Sequence, residues 1–509
     1  MSKGYKRYYA TIILVTAAIL FYLTAYFLCP SVPVVDRLGW WGWWDQSLYI
    51  KSVAALARLD FRPEVHLYPI GYPAMGAIFY GITPLHPLLV PDIFFLVVIV
   101  VSLYSIYSRF ISQGESIILV FATIFLHKSV LTNLVIPWST IPTHALTYVI
   151  IYLLLFRQYK AINVIVAYIC VTVIYWCRPG DILFVVPFFI FSIVNVDDKA
   201  GISSRLKTAI LSLLPVLGVV LVVNRLFYGS YVLTPYLTAV SGGGFSLDNV
   251  PYKAYMIFIE SSSFSGISCD SLLRYFPWGV LIGPGLVYAL RQDRWRILTL
   301  IVSLLTPLLF YLSYNDFDYS TVFKYQVIHY IGWTFPLWAL FGFLTVRYAC
   351  LLSWKVFGPA LALPILLVLF LRLDVATVKC DCDVYAASSE APSRESRSSA
   401  IVRYTGGEKV ILRVKFNAPG GVNGFYLSEW PWGDAGNTLS LIGDDKVMTP
   451  LRDYKLFNSS SGVVILFTRA RSFNTLALSV NTGDYKTFTI YRPEFFRLGF
   501  DVWKPWAIF

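Results

Sequence analysis

Apolar runs long enough to cross a bilayer recur through the first 373 residues of this 509-residue chain. A spanning helix needs about 20 apolar residues. Eleven runs approach or reach that length: 9–28, 88–108, 115–131, 141–157, 161–177, 181–195, 208–224, 277–290, 297–313, 331–347 and 354–373. Backbone polar groups in lipid must pair inside their own segment, so these runs are expected as helices. A chain that is 57% hydrophobic and only 14% charged falls with polytopic membrane proteins and not with soluble domains. The runs flanking Arg178, and those flanking Gln158–Lys160, each read equally as a pair or as one broken span. The first run is aromatic-rich and lacks a small-residue cleavage site, so it reads as an anchor instead of a signal peptide.

Lys and Arg in the short loops set the expected orientation. With the N-terminus in the cytoplasm, the cytoplasmic loops hold 14 basic residues against 4 acidic ones. The opposite loops, up to Arg372, hold 11 of each. The formal charge of +12 is therefore topological and not a nucleic-acid footprint. The first loop, 30–87, and the C-terminal region are expected outside.

After Arg372 the composition changes. Residues 380–408 are rich in Ser, Ala and charge, and 374–408 read as a linker. From Lys409, short β-rich runs alternate with turn signals: Val410–Phe416, Phe425–Trp430, Thr438–Ile442, Val463–Thr468, Thr475–Val480 and Thr487–Tyr491. Strands at this spacing predict a β-sandwich or jelly roll over 409–509. The expected fold is thus an α-helical polytopic membrane domain, 1–373, with about eleven spans and a C-terminal all-β domain. Of seven cysteines, Cys170, Cys177 and Cys350 fall in or near spans and read as packing residues. Cys29, Cys269, Cys380 and Cys382 are placed outside, where Cys269 has either Cys380 or Cys382 as a partner for a disulfide.

The first external loop carries the residues best suited to chemistry. Trp40-Trp41-Gly42-Trp43-Trp44 precedes Asp45, and His66-Leu67-Tyr68-Pro69-Ile70-Gly71-Tyr72-Pro73 follows. Residues 45–58 have helical periodicity, with Leu48, Val53, Leu56 and Leu59 on one side and Gln46, Ser47 and Lys51 away from it. The plain reading of Asp45 is an N-cap worth about 1 kcal/mol. The functional reading is a carboxylate held at the lipid–water boundary as general base or metal ligand. The tryptophans read mainly as an interfacial aromatic belt.

This arrangement resembles the GT-C glycosyltransferases. The features shared are an external loop with Asp45 and Tyr49 four residues on, then Tyr68-Pro69-Ile70-Gly71-Tyr72-Pro73. Arg178-Pro179-Gly180-Asp181 resembles an "Arg-Pro" turn of bacterial members, and Asn224 to Ser230 a later Asn-x-x-x-Tyr-Gly-Ser stretch. The resemblance covers about residues 1–350 and implies sugar transfer, with inversion, from a polyprenyl-phosphate carrier on the non-cytosolic face. It implies a bacterial inner-membrane protein with its C-terminal domain in the periplasm and an envelope glycan, such as O-antigen, as acceptor. It places catalysis on Asp45. Many members carry a second acidic residue in the loop between the third and fourth spans. Here Lys128–His144 contains none, so a two-carboxylate metal site is not expected, and a divalent metal would fall to Asp45 and His144.

Such a reaction needs cations at the donor phosphate. Arg178, Lys324, Arg225 and Arg274 lie near external span ends, and Arg178 and Lys324 are preferred. The ordinary reading of each is a residue snorkelling to the interface, and for Arg178 a surface ion pair with Asp181. Gln46, Tyr49, His66, Tyr68, Tyr72 and His329 are the candidate substrate-binding residues. For His66 and His144, a hydrogen-bonded structural histidine is the plainer assignment. No phosphate-binding glycine loop or metal quartet is present in the sequence. The rival classes are a transporter or flippase of lipid-linked or glycan substrates, which would place ionisable groups mid-membrane, and a non-enzymatic receptor or assembly protein.

Overall fold

The computed structural model describes residues 3–28, 44–126, 128–157, 160–194, 201–230, 250–259, 271–314 and 327–348, a few positions between them, and strands from 371 to 502. Two compact units emerge. The first comprises Met1–Gly242, Trp278–Tyr311 and Gln326–Leu361, and the second Gly243–Pro277, Leu312–Tyr325 and Ala362–Phe509.

The chain runs through α1 (Lys3–Leu28), α2 (Trp44–Ala57), α3 (Gly71–Phe79), α4 (Leu89–Tyr107), α5 (Gln113–Ile124), α6 (Lys128–Val135), α7 (Thr140–Ile151), α8 (Ala161–Cys177), α9 (Ile182–Val194) and α10 (Ile202–Tyr228). Helices α11 (Val250–Phe258) and α12 (Leu272–Tyr275) belong to the second unit, and α13 (Ile282–Gln292), α14 (Arg294–Ser313, up to Tyr311) and α15 (Thr334–Tyr348) to the first. Segments Tyr8–Phe27, Leu89–Tyr107, Ile202–Tyr228 and Arg294–Ser313 are long and apolar enough to cross a membrane. Shorter apolar helices accompany them, and the protein is an integral membrane protein of mainly helical build.

Local chemistry sets the helix ends. Ser112 and Glu115 form a reciprocal capping box at the start of α5. The run expected as one span over 115–131 is divided into α5, which ends at Ile124, and α6, which begins at Lys128. Pro179 disfavours helical backbone at the residue before it, so α8 stops at Cys177 and Arg178 is extended, with φ −160 and ψ 92. Gly229 closes α10 in the left-handed region, at φ 66.

Tyrosine hydroxyls tie buried helices to the segment around α15. Tyr107 donates to the Pro336 carbonyl at 2.6 Å, and Tyr148 to the Trp333 carbonyl at 2.5 Å. Helices α2 and α3 pack together as a short hairpin. Tyr49, Val53, Tyr72, Leu88 and Cys177 form its core, with Tyr68 and Met75 against them. The buried side of α2 differs from the sequence expectation. Gln46 is fully buried, whereas Leu59 lies past the helix end and is 74% exposed. Gln46, Tyr49, Val53 and Leu56 share the inward face because a carbonyl partner awaits the Gln46 amide there.

The second unit carries β1 (Leu371–Val378), β2 (Cys382–Ala387), β3 (Ser399–Arg403), β4 (Lys409–Phe416), β5 (Val422–Leu427), β6 (Thr438–Ile442), β7 (Met448–Pro450), β8 (Tyr454–Ser459), β9 (Gly462–Arg471), β10 (Thr475–Asn481), β11 (Thr487–Tyr491) and β12 (Glu494–Val502). All the paired strands are antiparallel, in orders β1-β12-β5-β9-β8, β2-β4-β10-β6-β7 and β11-β3. The six runs expected as strands overlap β4, β5, β6, β9, β10 and β11. Strands β1, β2 and β3 occupy the stretch read as a linker, and β1 begins inside the last expected span. Strand β1 pairs with the last strand, from Leu371 opposite Val502 to Val378 opposite Phe495, so strand pairing reaches upstream of the compositional boundary.

Gly71 lets α3 approach the end of α8. A Cβ there would lie 2.6 Å from the Trp176 carbonyl carbon, a backbone atom that has little freedom to yield. Gly71→Ala is expected to lower stability by about 1–3 kcal/mol. Gly81→Ala, where a Cβ meets nothing within 4 Å, should leave it within about 0.5 kcal/mol. Thermal unfolding of both variants in detergent checks this, and equal midpoints would contradict the close approach.

Candidate active site

Asp45 is the second residue of α2, inside the first turn and not ahead of it. The N-cap reading is therefore corrected, although a carboxylate here still meets unpaired N–H groups and the positive end of the helix dipole. The Tyr68 hydroxyl donates to Asp45 Oδ1 at 2.5 Å. Burial raises the Asp45 carboxyl above its ordinary range, opposed by the Tyr68 hydrogen bond and by the positive charge of Arg178. Arg178 thus lies within electrostatic reach of Asp45.

Tyr68 is held from several sides. Its ring packs on Tyr49 at 5.0 Å, and Tyr49 packs edge-on against Tyr72 at 5.3 Å. The Tyr228 hydroxyl reaches the Tyr68 carbonyl at 3.4 Å. The Tyr72 hydroxyl faces both carboxylate oxygens of Asp92, 2.9 and 3.0 Å away. From the same inward face of α2, Gln46 Nε2 donates to the Pro137 carbonyl at 3.0 Å and Tyr49 donates to Ser139 Oγ at 3.1 Å. The short corner between α6 and α7 therefore fixes the start of α2.

Arg178 belongs to a buried polar network. Its Nε lies 3.1 Å from Asp181 Oδ1 and donates to the Tyr311 hydroxyl at 3.0 Å. Tyr311 donates in turn to Asp181 Oδ1 at 3.0 Å, and Thr143 donates to Asp181 Oδ2 at 2.7 Å. The guanidinium carbon sits 4.1 Å from the centre of the Tyr330 ring. The side chains of Arg178 and Asp181 are 9% and 4% exposed, so the expected surface ion pair is a buried one. Thr143, Tyr311 and Tyr330 are distant in sequence and had no local signal. Asp92, a lone acid inside an apolar run, had one: a buried carboxylate in a span demands a partner.

The remaining candidates fall in different places. His66 is fully buried, with Nδ1 2.7 Å from Ser52 Oγ and Nε2 2.9 Å from the Asp60 carbonyl. A carbonyl only accepts, so Nε2 carries the proton and Nδ1 accepts from Ser52. Both nitrogens are engaged in joining α2 to the loop after it. Arg225 is exposed, and its guanidinium donates to the Gly229 carbonyl at the end of α10. His329 is buried and stacks on Trp138 at 4.0 Å. His144 is buried on α7, and its Nε2 has no hydrogen-bond partner among the described residues. Lys324, Trp40, Trp41, Trp43, Cys29, Cys269 and Cys380 lie outside the described residues, as do the side chains of Arg274, Trp44 and Cys382. Among the described residues, no three His, Cys, Asp or Glu side chains form a metal-ligand set.

No family model and no curated protein matches the chain. Among solved structures, the chain is similar to ArnT from Cupriavidus metallidurans, a crystal structure bound to undecaprenyl phosphate, at 11% identity and a TM-score of 0.45. The match covers 72% of this chain and 64% of that one, so the chain spans less than two thirds of that length. At this level no residue role is transferred.

A buried ion pair that loses one partner strands the other. Asp181→Asn is expected to cost about 3–5 kcal/mol, read as a fall in the thermal midpoint. Asp60→Asn, which breaks an exposed pair with Arg62, should leave the midpoint unchanged. Comparable midpoints for the two variants would refute the structural weight given to the Arg178–Asp181 pair.

Proposed function

We propose that the protein is an inverting glycosyltransferase of the GT-C type, taking a sugar from a polyprenyl-phosphate carrier at the outer membrane–water boundary. The observation that carries this reading is Asp45: a half-buried carboxylate gripped by one tyrosine hydroxyl, with Arg178 in electrostatic range. The order of the Asp45, Tyr68–Pro73, Arg178-Pro179 and Asn224–Ser230 motifs supports it. In the same reading the N-terminus is cytosolic, about eleven helices span the inner membrane, and the C-terminal sheets form a β-sandwich outside. The acceptor is an envelope glycan such as O-antigen, and the transferred unit a hexose or pentose.

The chemistry is a single displacement. Asp45 takes the proton of an acceptor hydroxyl as that oxygen bonds to the sugar's anomeric carbon. The bond from that carbon to the carrier-phosphate oxygen breaks, and its electron pair leaves on the phosphate. Attack opposite the leaving group inverts the centre. Arg178 offers an oriented guanidinium whose charge is partly offset by Asp181, suited to a phosphate that gains charge as it departs.

Asp45→Asn keeps size and polarity but removes basicity. It should abolish transfer from membrane-borne carrier lipid to acceptor while expression and thermal midpoint stay near wild type. Transfer at the wild-type rate would remove Asp45 as the base.

The pH dependence has a definite direction. Asp45 must be ionised to act, so the rate falls as pH drops through its pKa. Burial raises that pKa, and the Tyr68 hydrogen bond lowers it. The acidic limb of the kcat/KM profile should therefore lie above that of an ordinary aspartate. In Tyr68→Phe it should move to still higher pH, with the alkaline plateau least affected. A limb that stays in place, or moves to lower pH, rules out this role for Tyr68.

A further inference from the structure

A cavity lies between α6, α7 and the segment leading into α15. Its lining is mostly apolar, from Ile99, Ile141, Trp333 and their neighbours, with Asn133, His144 and His329 among the polar members. It offers about 30 Å³ to the centre of a water molecule, where one water needs roughly 10–15 Å³. Asn133 Oδ1 and His144 Nε2 are buried and have no hydrogen-bond partner among the described residues. The two residues are 8% and 7% exposed. Leaving such a group unsatisfied is costly, so both call for a donor.

The cavity adjoins the machinery described above. Thr143, the neighbour of His144, bonds Asp181. Tyr330, the neighbour of His329, carries the Arg178 guanidinium on its ring. The corner that joins Asn133's helix to His144's helix receives Gln46 and Tyr49 from the helix that bears Asp45.

We propose that this cavity receives a hydroxyl-bearing edge of the carried sugar. Asn133 Oδ1 accepts from one hydroxyl, and His144 Nε2, in the tautomer protonated at Nδ1, accepts from another. The inference rests on the glycosyl-transfer reading and adds to it the pocket that selects the sugar. The volume suits one edge of a ring and not a whole sugar, so the pocket reads substituents while the anomeric carbon stays near Asp45.

The test measures binding and not turnover. The probes are citronellyl phosphate, bare or bearing glucose, xylose, galactose, arabinose, mannose or lyxose, with affinities read by thermophoresis. At least one glycosylated probe should bind the wild type about tenfold tighter than the bare phosphate. Asn133→Leu and His144→Leu should each bring that ratio close to one without weakening the bare probe. His144→Gln, which keeps an acceptor, should retain part of the preference. If His144→Leu fails to fold, Asn133→Leu decides alone. A wild type that prefers no glycosylated probe overturns the inference, as do variants that keep the preference or lose bare and glycosylated binding alike. Asp45→Asn should keep the ratio. A wild type with no transferase activity but an intact ratio therefore fails the catalytic reading and not this one.

Discussion

The buried ion pair between Arg178 and Asp181 is the interaction from which the rest of the site takes its position. Two opposite charges three residues apart, nearly closed off from water, are tolerated only if their remaining hydrogen-bonding capacity is met. Thr143 from α7 and Tyr311 from α14 supply donors to the carboxylate, and Tyr330 supplies a ring face to the guanidinium. One turn between α8 and α9 thereby fixes α7, α14 and the approach to α15. Pro179 makes the arrangement directional, because it disfavours helical backbone at Arg178, which is extended. Gly71 then brings α3 against the backbone of Trp176, two residues before that arginine. Tyr68, three residues ahead of Gly71, arrives with its hydroxyl on Asp45.

The two carboxylates near Arg178 are placed for different work. Asp181 has donors at both oxygens and a cation in contact, so it is saturated and structural. Asp45 has a tyrosine hydroxyl at one oxygen, and Arg178 acts on it only through its field. A carboxylate whose pKa is raised by burial and trimmed by one hydrogen bond remains basic enough to take a proton and polar enough to ionise. Environment, not residue type, separates the proposed base from the brace.

Much of this was legible along the chain. Spans could be read because spanning helices announce themselves by length and apolarity, and α2 because a periodic segment begins at Asp45. Arg178 with Asp181 was legible as a pair, but its burial was not: exposure depends on what α14 and the stretch before α15 bring, more than 100 residues later. Gln46 was misplaced for a related reason. Polarity alone puts a glutamine on the wet face, and only the bare carbonyl of Pro137 makes the dry face tolerable for its amide. The start of the strand region was blurred by composition, since β1 owes its state to pairing with β12 rather than to its own pattern. Asp92 was passed over, although a lone acid in an apolar run is itself a signal of a buried partner, here the Tyr72 hydroxyl.

The corner between α6 and α7 shows how base and proposed sugar pocket come to share one support. Residues 136–139 present the Pro137 carbonyl and the Ser139 hydroxyl to α2, holding Gln46 and Tyr49 beside Asp45. The helices leaving the same corner carry Asn133 and His144 into the cavity. Proline has no N–H, so its carbonyl is the one backbone hydrogen-bonding group it offers, and a buried glutamine amide takes it. A displacement of this corner would shift the base relative to Tyr68 and the two acceptors relative to each other. In the proposed site, choosing the sugar and activating the acceptor would be coupled through backbone geometry. The turn at residues 136–139 is the element that α2 and the two pocket helices have in common.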